Sequence, residues 1–209
     1  MSKRMIIKVC GMREAENIRE VEQLFTLHAS RFTFWMGFIF WPKSSRYVSE
    51  HPVYLPTQCK RVGVFVDEDA NTIKKIANDY ALDYIQLHGS ESPQYVQQLR
   101  DWQVIKAFNI ATKEDLENTK PYEGIVDYFL FDTKGKSVGG NGEKFDWSVL
   151  ADYVGETPFL LSGGISPDDA ERMKAFHHPM CIGIDLNSKF EDEPALKNIQ
   201  ELKTFIEQL

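Results

Sequence analysis

The chain has 209 residues, 43% of them apolar, enough for one sizeable core and short for two independent domains. Its net charge of −7, from 24 basic and 31 acidic side chains with no basic block, argues against nucleic acid as a partner. Three cysteines, Cys10, Cys59 and Cys181, lie far apart with no CxxC, which excludes a disulfide framework or a zinc site and fits a reducing cytoplasm.

In chain order, short apolar runs recur at Met5–Val9, Phe34–Phe40, Arg61–Val66, Tyr84–Leu87, Val104–Phe108, Tyr128–Phe131, Pro158–Leu161 and Met180–Ile184, giving eight predicted strands. Met-Ser-Lys-Arg leads directly into the first, so no signal peptide is expected. Phe32 to Trp41 is apolar but too short to span a bilayer, so no membrane partner is expected.

Stretches of helical periodicity fall between most strands. Glu14–Leu27 places Ile18, Val21 and Leu24 or Phe25 on one face, and Asn71–Tyr80 does so with Ile73, Ile76, Ala77 and Tyr80. Ser92–Leu99, Thr112–Asn118, Asp146–Tyr153, Pro167–Phe176 and Pro194–Leu209 complete the predicted helices. Ser92-Pro93 and Ser166-Pro167 are N-caps followed by proline at the first helical position, and Thr112 with Asp115 is close to a capping box. Tyr47 to Thr57 carries Pro52 and Pro56 with little periodicity, so the second helix is expected to be short, irregular or replaced by a loop.

Alternating strands and helices predict a parallel sheet with crossover helices, here an α/β (β/α)8 TIM barrel spanning residues 1–209 as a single domain. The rival is a doubly wound open sheet, which often has a glycine-rich first turn. Cys10-Gly11-Met12-Arg13 is not GxGxxG.

In a barrel the chemistry sits at the C-terminal strand ends. Those ends carry Cys10, Arg46 in the loop after strand two, Gln86 and His88, Lys106, Asp132, Ser162-Gly163-Gly164, and Asp185 with Asn187 and Ser188. Gly163 and Gly164 let backbone N–H groups approach an anion, and the loops after strands seven and eight are the usual phosphate site. Asp132, emerging from an apolar strand, can act as a general acid, and Arg46 can clamp a phosphate or carboxylate. Each residue alone has an ordinary structural role: a buried thiol, a capping aspartate, a satisfied histidine, a solvated arginine. Their placement at one barrel mouth is what points to chemistry.

These segments resemble the phosphoribosylanthranilate isomerase family of tryptophan biosynthesis. The resemblance runs nearly the whole length: Lys8-Val9-Cys10-Gly11-Met12, Gly37-Phe38-Ile39-Phe40 with Pro42 to Tyr47, Arg61 to Val66, Ile85-Gln86-Leu87-His88-Gly89, Phe131-Asp132-Thr133, Gly139-Gly140-Asn141-Gly142 with Phe145-Asp146-Trp147, Leu161 to Ile165, and Gly183 to Ser188. It implies an Amadori rearrangement of N-(5'-phosphoribosyl)anthranilate to 1-(2-carboxyphenylamino)-1-deoxyribulose 5-phosphate, the third pathway-specific step from chorismate to tryptophan. No cofactor and no metal are implied. Matched by motif, Asp132 is the general acid and Cys10 the general base. Arg46, Gln86, His88 and Asp185 contact substrate, and Gly163, Gly164, Asn187 and Ser188 hold its phosphate. The implied partner is this small phosphorylated sugar-anthranilate, acted on in the cytoplasm by a monomer or homodimer.

Some positions depart from the family pattern. Lys189 stands where glycine is usual, and Ala195 and Asn198 replace glycine and aspartate. Asn141 replaces the usual Thr or Ser. If the family glycine is left-handed, Lys189 costs roughly 1–2 kcal/mol, or it offers the phosphate a charge. The alternatives are the sister isomerase of histidine biosynthesis, which uses two aspartates, and a non-catalytic sugar-phosphate-binding barrel.

Overall fold

The computed structural model describes residues 4–133 and 147–209. Its eight predicted strands all form: β1 (Ile6–Cys10), β2 (Thr33–Ile39), β3 (Lys60–Phe65), β4 (Tyr84–Leu87), β5 (Gln103–Ile110), β6 (Tyr128–Thr133), β7 (Phe159–Ser162) and β8 (Cys181–Leu186). Each pairs in parallel with the next, and β1 pairs with β8 to close the barrel.

Strand side chains alternate across the sheet, which explains why these runs are apolar almost throughout: both faces are covered. Ile7 and Val9 of β1 join the outer core, against α1 (Ala15–His28) and the other helices. Ile6 joins an inner cluster with Trp35, Val62, Tyr84, Ile105, Ala107, Leu130 and Leu160. Lys8 and Cys10 share the inward side with Ile6, above that apolar plug.

Local signals set the helix starts. Asp69 accepts from Thr72 N at 2.9 Å ahead of α2 (Ala70–Asp79), and Ser92 accepts from Tyr95 N at 3.2 Å ahead of α3 (Pro93–Val96). Thr112 and Asp115 form the expected capping box, but the segment it opens, Lys113–Tyr122, is a 3-10 helix. Its buried residues, Leu116 and Thr119, stand three apart and so lie on one 3-10 face. Ser166 and Asp169 form a second capping box, followed by a 3-10 turn over Pro167–Asp169 and the short α4 (Ala170–Ala175).

Between β2 and β3 the chain forms a loop, as the prolines suggest. Glu22 of α1, 5% exposed, pins it by accepting from Tyr54 Oη and from the backbone N–H groups of Thr57 and Gln58. The predicted last helix is shorter than expected. Pro194 and Ala195 turn a hairpin between β9 (Glu191–Glu193) and β10 (Leu196–Lys197), and α5 (Ile199–Gln208) starts only after Asn198. Ala195 has φ +73°, which no helix admits, and the Asn198 side chain caps α5 by accepting from Glu201 N at 2.9 Å. Of the predicted helix Asp146–Tyr153, Trp147–Asp152 forms a 3-10 helix; Asp146, Asn141, Phe145 and the glycines at 139, 140 and 142 lie outside the described residues.

Candidate active site

A cavity of about 190 Å3 opens at the C-terminal strand ends, lined by Cys10, Gln86, His88, Asp132, Ser162 to Ile165, Asp185 and Asn187 to Lys189. It gathers nine of the ten residues that the sequence marks for catalysis or binding, Arg46 being the exception. A larger cavity, about 1390 Å3, lies at the other end, walled by Trp35, Tyr84, Tyr128 and mostly apolar neighbours. Among the described residues that wall carries no carboxylate, and it opens at the N-terminal strand ends, where barrels of this kind do not place their chemistry.

Cys10 ends β1 at 3% exposure, directly opposite Gly37 of β2. A side chain at position 37 would begin 2.8 Å from the Cys10 sulfur, so glycine there leaves room for the thiol. Burial pushes the Cys10 thiol up in pKa, the ammonium of Lys8 opposes that rise, and the carboxylate of Asp185 adds to it. Lys8 is wholly buried and donates to Asp185 Oδ1 at 2.8 Å. Burial disfavours its charge, but Asp185 and Cys10 outweigh burial, and its pKa is raised. Asp185 also accepts from Ser162 Oγ at 3.2 Å.

Asp132 ends the inward face of β6, with its carboxylate 3.7 Å from His88 Nε2. The ring is oriented from behind, where His88 Nδ1 lies 3.1 Å from Gln86 Nε2. Gln86 lines the cavity, and its Oε1 is buried without a protein partner. Asp132 and Ser162 are register partners, so β6, β7 and β8 present Asp132, Ser162 and Asp185 side by side.

The end of the cavity that the sequence marks for phosphate follows from β7 and β8. Gly163 (φ +94°) and Gly164 (φ +68°) turn the chain in the left-handed region that residues with a Cβ avoid. Asn187 and Ser188 face this turn, and Ser188–Phe190 forms one turn of 3-10 helix. Lys189 is exposed there and does not adopt a left-handed backbone, so the strain expected for it is absent. Of the positions that depart from the expected pattern, Ala195 is the one with a left-handed backbone.

Arg46 is placed beside the cavity rather than in its wall. Its side chain lies over Gly11, and its guanidinium forks onto Glu191, with Nε 2.9 Å from both carboxylate oxygens. That hydrogen bonding raises the Arg46 pKa. Glu191 also accepts from Lys197, which donates to Asn187 Oδ1 at 3.0 Å. Burial would raise the Glu191 pKa, but these two cations outweigh it and the pKa is lowered. The hairpin that carries them is strapped to α1 by Asn17, which bonds Lys197 O and N at 3.0 and 2.7 Å. Lys106 faces away from the barrel interior and holds Glu91 at 3.2 Å, outside the site.

Lys8, Glu191 and Lys197 are neighbours to which the sequence assigns no role, whereas Ser162 stands among the strand-end residues read from it. Lys8 had a signal: it stands two residues before Cys10 on one strand and therefore on the same face. Glu191 and Lys197 had none, because a hairpin far along the chain brings them in. Among the described residues no cluster of three or more His, Cys, Asp or Glu is arranged to hold a metal ion.

The geometry has known relatives. A family profile described as N-(5'phosphoribosyl)anthranilate (PRA) isomerase matches residues 7–208. The N-(5'-phosphoribosyl)anthranilate isomerase of Parabacteroides distasonis is 53% identical, covering 98% of this chain and 93% of that protein. The phosphoribosylanthranilate isomerase of Thermotoga maritima, described as dimeric and solved as monomers, superposes with TM-score 0.78 at 27% identity, over 99% of this chain and 97% of that one. A phosphoribosyl anthranilate isomerase in complex with reduced 1-(o-carboxyphenylamino)-1-deoxyribulose 5-phosphate superposes with TM-score 0.76 at 29% identity, over 99% and 97%. With sequence, fold and strand-end chemistry in agreement, this chain belongs to the N-(5'-phosphoribosyl)anthranilate isomerase family.

Proposed function

We propose that this chain isomerises N-(5'-phosphoribosyl)anthranilate to 1-(2-carboxyphenylamino)-1-deoxyribulose 5-phosphate, with Asp132 as general acid and Cys10 as general base. The observation that carries the reading is that Cys10, from β1, and Asp132, from β6, line one cavity with the Gly163–Gly164 turn at its end. Asp132 gives its proton to the furanose ring oxygen. The C1–O bond breaks and the nitrogen lone pair closes a Schiff base. Cys10 thiolate takes the C2 proton, and the C–H electrons form the enolamine, whose tautomer is the ketone. Proton given and proton taken balance across two side chains, so the steps are written with no cofactor.

Gly163, Gly164, Asn187 and Ser188 hold the phosphate in this reading. Gln86, His88 and Asp185 surround the sugar. Arg46 meets the anthranilate carboxylate from outside the cavity wall, steadied by Glu191. The working form in this reading is a monomer or a homodimer. Three unpaired thiols suit a cytoplasmic enzyme.

Among the described residues no helix is long and apolar enough to cross a membrane. The decisive experiment offers purified protein N-(5'-phosphoribosyl)anthranilate and, separately, the aminoaldose substrate of the histidine-pathway isomerase. Turnover of the first is expected. Turnover of the second alone, or calorimetric binding without turnover, overturns the assignment.

A further inference from the structure

We propose that Lys8 is the positioning residue that favours ionisation of Cys10, its ammonium fixed by the carboxylate of Asp185 on the same inward face as the sulfur. The inference deepens the reading of Cys10 as general base and rests on it. Its starting point is a cost. Lys8 and Asp185 are 0% and 7% exposed and paired at 2.8 Å inside the barrel, above the apolar plug of Ile6, Leu130 and Leu160. Taking two charges out of water costs several kcal/mol per ion, and apolar residues of similar volume often serve stability as well or better. A pair placed there for stability alone is therefore a poor solution. A pair that sets the charge state of a neighbouring thiol has a reason to be kept.

The neighbours of Cys10 single out Lys8. On β1, Lys8 shares its face. From β2, Gly37 contributes no side chain. From the loop after β2, Arg46 contributes a cation, but Glu191 is bonded to it. From β10, Lys197 contributes another, bonded to the same Glu191. From β8, Asp185 contributes the carboxylate that fixes the Lys8 ammonium. Asp132 of β6 and His88 beyond β4 complete the cavity wall. Of the cations, Lys8 does most to oppose the rise that burial imposes on the thiol. When the thiol ionises, its S–H bond breaks, the proton leaves to water through the mouth, and the S–H electron pair stays on sulfur beside the ammonium. Lys8 remains protonated throughout.

The test reads the thiol and needs no substrate. Iodoacetamide alkylation of Cys10 is followed by peptide mass spectrometry from about pH 6 to about pH 10, in wild type, Lys8→Met, Lys8→Arg and Asp185→Asn. Lys8→Met should slow alkylation near neutral pH by at least about tenfold, the equivalent of one pKa unit, and Lys8→Arg should restore most of it. Asp185→Asn should accelerate it, because the opposing anion is gone. If Lys8→Met does not fold, Lys8→Met/Asp185→Asn against Asp185→Asn reads the same contrast. A folded Lys8→Met with the wild-type pH profile overturns the proposal even if the enzyme turns over. Absent turnover with the expected alkylation shifts overturns the functional reading and leaves the role of Lys8 in place.

Discussion

Cys10 and Gly37 face each other across β1 and β2, and the first side-chain carbon at position 37 would fall 2.8 Å from the Cys10 sulfur. It would also lie 3.1 Å from the Cys10 α-carbon, which cannot swing aside as a side chain does. Gly37→Ala should therefore push the sulfur out of line. We expect kcat to fall by about 10- to 100-fold, because a base misplaced by about 1 Å loses that much. Steady-state kinetics beside a melting curve checks this; wild-type kcat in a folded variant removes the steric role of Gly37.

Cys10→Ala and Asp132→Asn should each lower turnover by about 100- to 10,000-fold, the range for a lost general base or acid. Neither should unfold the barrel, since both side chains face the cavity. Near-wild-type turnover in either variant takes that residue out of the mechanism.

Lys189 lies on the cavity rim beside the Gly163–Gly164 turn and is exposed. Lys189→Gln should raise KM by a fewfold with kcat little changed, and should weaken the salt dependence of KM, because one exposed charge is removed from the end proposed to hold phosphate. Titration of KM against ionic strength decides; identical salt slopes leave Lys189 without a part in binding.

Ala195 carries φ +73° in the hairpin turn, a conformation that costs a residue with a Cβ roughly 1–2 kcal/mol. Ala195→Gly should stabilise the fold by about 1 kcal/mol, read as a shift in the urea midpoint with the slope unchanged. A lower midpoint would mean that packing of the buried methyl outweighs the strain.

Burial raises Cys59 to about 12 and Cys181 to about 11, above the 9.0 of a free thiol. A folded-state pKa above the unfolded one means stability is fully present below about pH 9 and is lost as pH rises toward the folded values. The unfolded chain releases those protons first. Wild type should thus lose more stability between about pH 9 and about pH 11 than Cys59→Ala/Cys181→Ala, in paired melting series. Parallel curves would show that these thiols titrate alike in both states.

The eight strands are readable because each is a run of apolar residues closed by turn chemistry, a local property. The strand-end positions of Cys10 and Asp132 follow from the same runs. The last helix is misread at its start, since Pro194 is allowed in a first helical turn and nothing local reveals that Ala195 takes a left-handed backbone. The loop after β2 is half readable: its prolines disfavour a helix, but Glu22 of α1, which pins it, belongs to another element.

By itself, then, the sequence determined the alternation of strands and helices, the barrel class and the residues offered at the mouth. Only the tertiary structure decided which charges meet there. Lys8 finds Asp185 because β1 closes on β8, and Arg46 finds Glu191 because a hairpin 145 residues later folds back to it. Backbone pattern is set by neighbours in the chain, whereas the ionic state of a thiol also depends on neighbours in space, and closing the barrel is what brings Asp185 to Lys8 beside Cys10.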